Sequence, residues 1–367
     1  MKIIVYLGHP AHFYLFRNVI NNLNKDGHTV EILIKKKDVL QELLEQEGLR
    51  YHNILEEGRK DSKLGIGIGT FKRMCRLNRF CRHFNPDLMA GTSVENSYIG
   101  PLRKIPVINV NEDDAEAVPL YAKMSYPGAS TILVPAVCNC GKWDYKAIKY
   151  FSYHELAYLH PNNFIPEKEI VEKYFSLDGP FFLIRFAKLK AHHDQGIKGI
   201  DSNIAQRIID LLKHYGRIFI SSERELEPQF EQYRINIKAL DMHHIMAFSD
   251  LYIGDSQTMA AEAGVLGVPF VRYNDFVGRI GYLNELENVY QLGYGIKASE
   301  EGSAEKMYQT VQEILCMPNR KEIWQTRRQK MLSEKIDYAK FLTWFIENYP
   351  ESQKIMRENS DYQFRFK

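Results

Sequence analysis

Residues 249–271 read SDLYIGDSQTMAAEAGVLGVPFV. A short apolar run at 251–253 stops at Gly254. Asp255, Ser256, Gln257 and Thr258 then open an alanine-rich stretch, and Gly267-Val268-Pro269 closes it and starts the next apolar run. This is a strand, a polar corner, a helix and a second strand, the repeating unit of a parallel α/β sheet. A helix that begins at the carboxyl end of a parallel strand presents unpaired amides and a partial positive charge, which suits a phosphate. Glu262 interrupts the otherwise small and apolar helix. Two readings stand: a carboxylate that accepts both hydroxyls of a ribose, or a solvated residue on a helix capped by Asp255 or Ser256.

The same alternation runs outward in both directions. The chain opens MKIIVYLGHPAHFYLFRNVINNLNKDGHTVEILI, where an apolar run meets Gly8-His9-Pro10-Ala11-His12 before a helical stretch. In the first half, strands are expected near 2–7, 29–34, 50–54, 87–90, 105–110 and 130–134, with helices near 12–25, 38–47, 68–84, 94–103 and 115–125. Residues 60–69, rich in Gly and Lys, read as a mobile loop, and 143–166 as an irregular aromatic linker. Alternation restarts at 179–186. Strands follow near 217–221, 235–239, 250–253 and 268–271, with helices near 201–214, 242–248 and 256–266.

The length of 367 residues exceeds one ordinary core. The expected organisation is two doubly wound Rossmann-type domains, 1–165 and 166–335. A C-terminal amphipathic helical segment, 336–367, should pack back on the first. Composition is ordinary for a globular chain, with 45% hydrophobic and 26% charged residues. A net charge of +2 gives no field that would point to nucleic acid. The five cysteines include one C-x-C, Cys138 and Cys140, without a second pair at zinc spacing, so they read as structural. No apolar stretch approaches the length of a membrane span, and a reduced, cytoplasmic protein is expected.

Residues 249–271 resemble the donor-binding region of glycosyltransferases of the GT-B fold. There, a helix of the second domain receives the nucleotide diphosphate and a Glu holds the ribose. Four stretches, GHPAHFYLFRNVINNL, YHELAYLHP, IRFAKLKAHHDQGIKGI and GDSQTMAAEAGVLGVP, identify the chain as a member of an uncharacterised prokaryotic family, domain of unknown function 354. The resemblance implies a GT-B-like pair of domains facing across a cleft. It also implies transfer of a sugar from a nucleotide diphosphate donor, UDP-linked by expectation, to a hydroxyl in surface polysaccharide or glycolipid synthesis. No metal or further cofactor is expected. Ser256, Gln257, Thr258 and Glu262 would hold the donor with Asp255, and Arg185 and Lys188 would neutralise its diphosphate. Two rivals remain. One is a UDP-sugar 2-epimerase of the same fold, whose Arg-Pro-Glu first loop is replaced here by Gly8-His9-Pro10. The other is a non-catalytic nucleotide-sugar-binding assembly protein.

Several side chains carry the expected chemistry. His12, and less so His9, offers a base that titrates near neutrality. Asn109, Asn111, Glu112, Asp113 and Asp114 follow a strand and either bind the acceptor, with Asp113 as an alternative base, or cap a helix. His192, His193 and Asp194 are too closely spaced to share one tetrahedral ion. His243 and His244 lie beside the base or in the core, and Asn274 and Arg279 beside the donor. Residues 71–84, FKRMCRLNRFCRHF, form a basic amphipathic helix. It either packs with a wet basic face or docks on anionic lipid near a lipid-linked acceptor.

Overall fold

The computed structural model describes residues 1–35, 38–54, 63–187 and 199–367. They form two compact units, Met1–Asn163 with Lys335–Lys367, and Phe164–Glu334. Unit 1 runs β1 (Lys2–Leu7), α1 (Pro10–Lys25), β2 (Thr29–Ile34), α2 (Asp38–Gln46), β3 (Tyr51–Asn53), α3 (Lys63–Phe84), β4 (Leu88–Gly91), α4 (Val94–Arg103), β5 (Val107–Val110), α5 (Pro119–Ser125), β6 (Thr131–Pro135) and β7 (Ala147–Tyr150). Unit 2 runs α6 (Lys168–Glu172), β8 (Phe181–Phe186), α7 (Ser202–Leu212), β9 (Arg217–Ser222), α8 (Met242–Phe248), β10 (Leu251–Gly254), α9 (Gln257–Leu266), β11 (Phe270–Tyr273), α10 (Gly281–Asn288), β12 (Gly293–Ile296), α11 (Ser303–Cys316) and α12 (Arg320–Glu334). The chain then returns to unit 1 as α13 (Tyr338–Glu347) and α14 (Glu351–Glu358).

Both sheets are parallel. Their strand orders are β3-β2-β1-β4-β5-β6-β7 and β12-β11-β10-β8-β9. Central strands such as β4, β5, β6 and β10 are buried along their whole length, as expected where helices cover both faces. Helix α1 shows how the faces are covered. Pro10 fixes its first turn, and Phe13, Phe16, Val19, Ile20 and Leu23 recur on one buried side. Strand order reverses direction at β1/β4. Right-handed crossovers then put α1 and α2 on one face and α3, α4 and α5 on the other, in keeping with the packing of α3 on α4 and of α4 on α5. Helix α13 packs against α1, where Asn22 donates to the Thr343 hydroxyl at 3.3 Å.

Four expectations change. Helix α3 begins at Lys63, within what reads as a loop at 60–69. Residues 235–239 form no strand, only one bridge between Ile220 and Arg234, because Ile235 and Ile237 pack as single plugs on the Phe181 cluster. β7 lies inside the expected linker, and β12 adds an edge strand to unit 2. No described helix is long and apolar enough to cross a membrane.

Candidate functional site

Open α/β sheets bind ligands where the strand order reverses, outside the carboxyl ends of the two central strands. Unit 1 reverses between β1 and β4, and unit 2 between β8 and β10. Each reversal carries a glycine that the neighbouring backbone demands. A Cβ on Gly91, whose φ is +132°, would stand 2.5 Å from the Tyr6 carbonyl oxygen; one on Gly254 would stand 2.9 Å from the Arg185 carbonyl oxygen. Adjacent strands therefore approach closely at both points.

In unit 1, the β1 loop holds both histidines of the opening motif. His9 caps α1 in an extended conformation, and its Nδ1 accepts the Ala11 amide at 3.2 Å. His12 Nδ1 accepts the Gly8 amide at 3.1 Å. An imidazole nitrogen that accepts from an amide carries no proton, so in its neutral form each ring would bear its proton on Nε2. Across the reversal, Ser93 caps α4 by accepting the Asn96 amide at 3.1 Å, and its hydroxyl donates to Glu95 at 3.0 Å. Glu95 is buried against the Arg73 guanidinium. Burial, reinforced by the nearby Glu95, holds the Tyr6 phenol far above its usual range.

The acidic loop follows β5, one strand beyond the reversal. Asn111 donates to the Asp113 carbonyl and the Tyr126 hydroxyl, both at 2.8 Å, which fixes the loop's path. Asp114 accepts the Asn139 amide at 2.8 Å. Glu112 lies 3.2 Å from His154 Nδ1. Burial lowers His154 to about 3, so this contact is not an ion pair at neutral pH.

In unit 2, Ser256 caps α9, its hydroxyl accepting the Met259 amide at 3.4 Å. Gln257 and Thr258 form the first turn. Asp255 is buried and its Oδ1 accepts the Ala187 amide at 2.6 Å, tying the end of β8 to the end of β10. Asn274 donates to the Asp255 carbonyl at 3.0 Å and secures β11 to the same corner. Burial raises the Asp255 carboxyl to about 6, against the opposing pull of the Ala187 amide and Arg224. Glu262 is buried, not solvated, and accepts from His243 Nε2 at 3.0 Å. An open pocket of about 630 Å³ lies where α7 and α11 begin, lined in part by Asp201, Asn203, Arg207, Arg224 and Tyr273.

Residues 1–276 match the family described as Protein of unknown function (DUF354). The chain belongs to this family. No curated protein matches this DUF354 chain in sequence. Solved structures share its fold at low identity. A UDP-GlcNAc 2-epimerase from Neisseria meningitidis bound to UDP-GlcNAc is 16% identical, with a TM-score of 0.65 over 94% of this chain and 99% of its own. An S. aureus MnaA–UDP complex is 13% identical, with a TM-score of 0.68 over 96% and 97%. The spinosyn rhamnosyltransferase SpnG complexed with thymidine diphosphate is 13% identical, with a TM-score of 0.59 over 95% and 100%. The DUF354 chain thus has the α/β fold of GT-B-like enzymes.

Within it, the reversal points gather most of the residues singled out in the sequence. His9 and His12 stand at one, and Asp255, Ser256, Gln257 and Thr258 at the other, with Glu262 farther along α9. Arg185 is at the right strand end, but its guanidinium is committed to Ser221 and Glu223 on the β9 side. Lys188, Lys190, His192, His193 and Asp194 lie outside the described residues. Arg279 stacks on Phe276, and His244 accepts the Glu167 amide at 3.0 Å. Cys138 and Cys140 are both buried, and the Cys138 thiol donates to the Glu112 carbonyl. Two features escape the sequence reading, the pairing of His243 with Glu262 and the presence of Arg224. His243 is the partner of Glu262. Arg224 stacks on Phe186 and donates to the Ile200 carbonyl at 2.6 Å, beside Asp255. Neither sits in a motif.

Proposed function

We propose that the chain is a nucleotide-sugar glycosyltransferase that moves a sugar from a nucleoside diphosphate donor to a hydroxyl. The observation that carries this reading is the β8/β10 reversal. A capped helix aims its first amides outward there, with a buried carboxylate held farther along the same helix. The α9 amides of Gln257 and Thr258 would take the diphosphate, and Glu262, steadied by His243, the ribose. Relatives in fold that hold UDP-GlcNAc, UDP or thymidine diphosphate support the choice of ligand.

The transfer breaks the bond between the anomeric carbon and the diphosphate oxygen and forms one to the acceptor oxygen. The acceptor proton goes to a base, which we assign to Asp113. His12 and His9, as Nε2–H donors, would orient the acceptor or a sugar hydroxyl. The leaving charge falls on helix amides in this reading, so activity should survive chelation of divalent ions. A lipid-linked or glycan acceptor in surface polysaccharide synthesis is the finer form of the proposal.

A 2-epimerase is the second reading, favoured by likeness to epimerases over nearly the whole chain. Calorimetry with UDP and thymidine diphosphate tests the shared nucleotide site. NMR of the products from UDP-sugars, with and without acceptor, separates transfer from epimerisation. No binding and no turnover of any nucleotide sugar would overturn both.

A further inference from the structure

Helices α3, α4 and α5 form one outer layer of unit 1, and their exposed surface has an unusual make-up. Phe71 is 68% exposed and Leu102 71%, and Ile68, Tyr98 and Leu120 are also exposed. On α3, exposed Phe71, Cys75, Arg79 and Arg82 follow one another at helical spacing, with Ile68 and Lys72 beside them. On α4, Tyr98 and Leu102 stand four residues apart on the outer side. Lys104, which ends α4, and Lys123 on α5 add exposed charge.

The three helices contain a single acid, Glu95, and that one is buried against Arg73. The exposed acid nearest in sequence to α5 is Glu116, which precedes it. The opposite face differs: α2 alone carries Asp38, Glu42 and Glu45. A solvated helix face ordinarily mixes both signs and hides its large rings. This one shows cations only, interleaved with large apolar side chains.

We infer that the α3–α4–α5 face of unit 1 is a docking surface for an anionic lipid bilayer. Cations near such a surface attract acidic headgroups, and exposed Phe and Leu side chains enter the headgroup boundary. Charge complementarity selects this occupant. A two-fold contact between copies would set the same cations against one another. A peptide partner would need a groove to anchor its side chains, whereas these apolar groups stand out among the cations. The inference does not depend on the reaction proposed above, though it would bring the enzyme to a lipid-linked acceptor.

The test is co-sedimentation of the full chain with phosphatidylcholine vesicles, with and without phosphatidylglycerol. Binding should need phosphatidylglycerol and weaken as salt screens the cations. Each cation is worth about 1 kcal/mol near the surface, or about fivefold in partitioning. Reversal of two, in Arg79→Glu with Arg82→Glu, should therefore abolish measurable binding. Phe71→Ser with Leu102→Ser should lower it about tenfold or more, because the apolar insertion is lost. These positions are exposed, and unchanged thermal melting would confirm that the variants fold. Equal sedimentation with and without phosphatidylglycerol, or none at low salt, would overturn the inference. So would a concentration-dependent dimer that Phe71→Ser with Leu102→Ser dissolves while vesicle binding is absent, since the face would then join two copies.

Discussion

Asp255→Asn should make the protein more stable at neutral pH, although it removes a charge from the candidate site. Asp255 is buried at the end of β10, and burial raises its carboxyl from the usual 3.8 to about 6. The folded protein therefore holds a proton between about pH 4 and 6 that the unfolded chain has released. Stability contributed by the protonated acid is present below pH 4 and is lost as pH rises through 6. The shift of about two units corresponds to about 3 kcal/mol, as an upper figure, at 1.36 kcal/mol per unit. Asparagine keeps an oxygen to accept the Ala187 amide but never ionises, so it avoids that cost. Urea denaturation of wild type and variant from pH 4 to 8 measures it. The two midpoints should coincide near pH 4 and separate toward pH 7, with the variant higher. Parallel curves across the range would refute the reasoning, since Asp255 would then be ionised without penalty. A carboxylate retained at a stability cost would support the proposal that this corner meets a ligand.

Three further outcomes are expected. Glu262→Ala should weaken nucleotide diphosphate binding by about 1.5–3 kcal/mol, roughly ten- to 150-fold in Kd, and an unchanged calorimetric Kd in a folded variant would remove Glu262 from the site. His12→Ala should lower turnover about 10²-fold, as loss of an aimed donor does, yet keep the rising limb of the pH–rate profile, whereas Asp113→Asn should erase that limb; loss of the limb in His12→Ala would restore His12 as the base. Gly91→Ala should cost more than about 2 kcal/mol in denaturant unfolding, because its Cβ would strike the Tyr6 carbonyl at 2.5 Å from a positive φ; a neutral result would mean that β1 and β4 separate readily.

Strands such as 2–7 and 131–135 are legible because both faces are covered along nearly all their length, so each reads as an apolar run of strand length. The errors come where local pattern and packing disagree. β12, Gly-Tyr-Gly-Ile, has no such run, yet Gly293 is needed because the Phe270 ring occupies the place of a Cβ. The start of α3 is rich in glycine and reads as a loop, but packing of the helix offsets the propensity cost. Ile235 and Ile237 alternate as in a strand, but the pairing with β9 stops at one bridge, Ile220 with Arg234, and one bond from the Ile235 amide to the Ile220 carbonyl at 2.9 Å. In the candidate site the residue types are visible and their directions are not. That His12 Nδ1 accepts depends on one bond to the Gly8 amide, and that Glu262 meets His243 depends on how α8 packs on α9. No spacing in the sequence encodes either. Arg224 follows β9 in a short polar turn with no motif around it.

Unit 1 is written in two instalments. Its first, Met1–Asn163, leaves the α13-facing side of α1 uncovered, and Asn162 and Asn163 awaiting the Asp337 carboxylate at 3.1 and 3.0 Å. All of unit 2 is synthesised between the two. On the ribosome the amino-terminal unit therefore cannot finish first, as domains in series usually do. The later unit has every strand of its sheet in hand while the earlier one still lacks the helix that packs on α1 and meets Asn22 through Thr343, so the order of completion runs opposite to the order of translation.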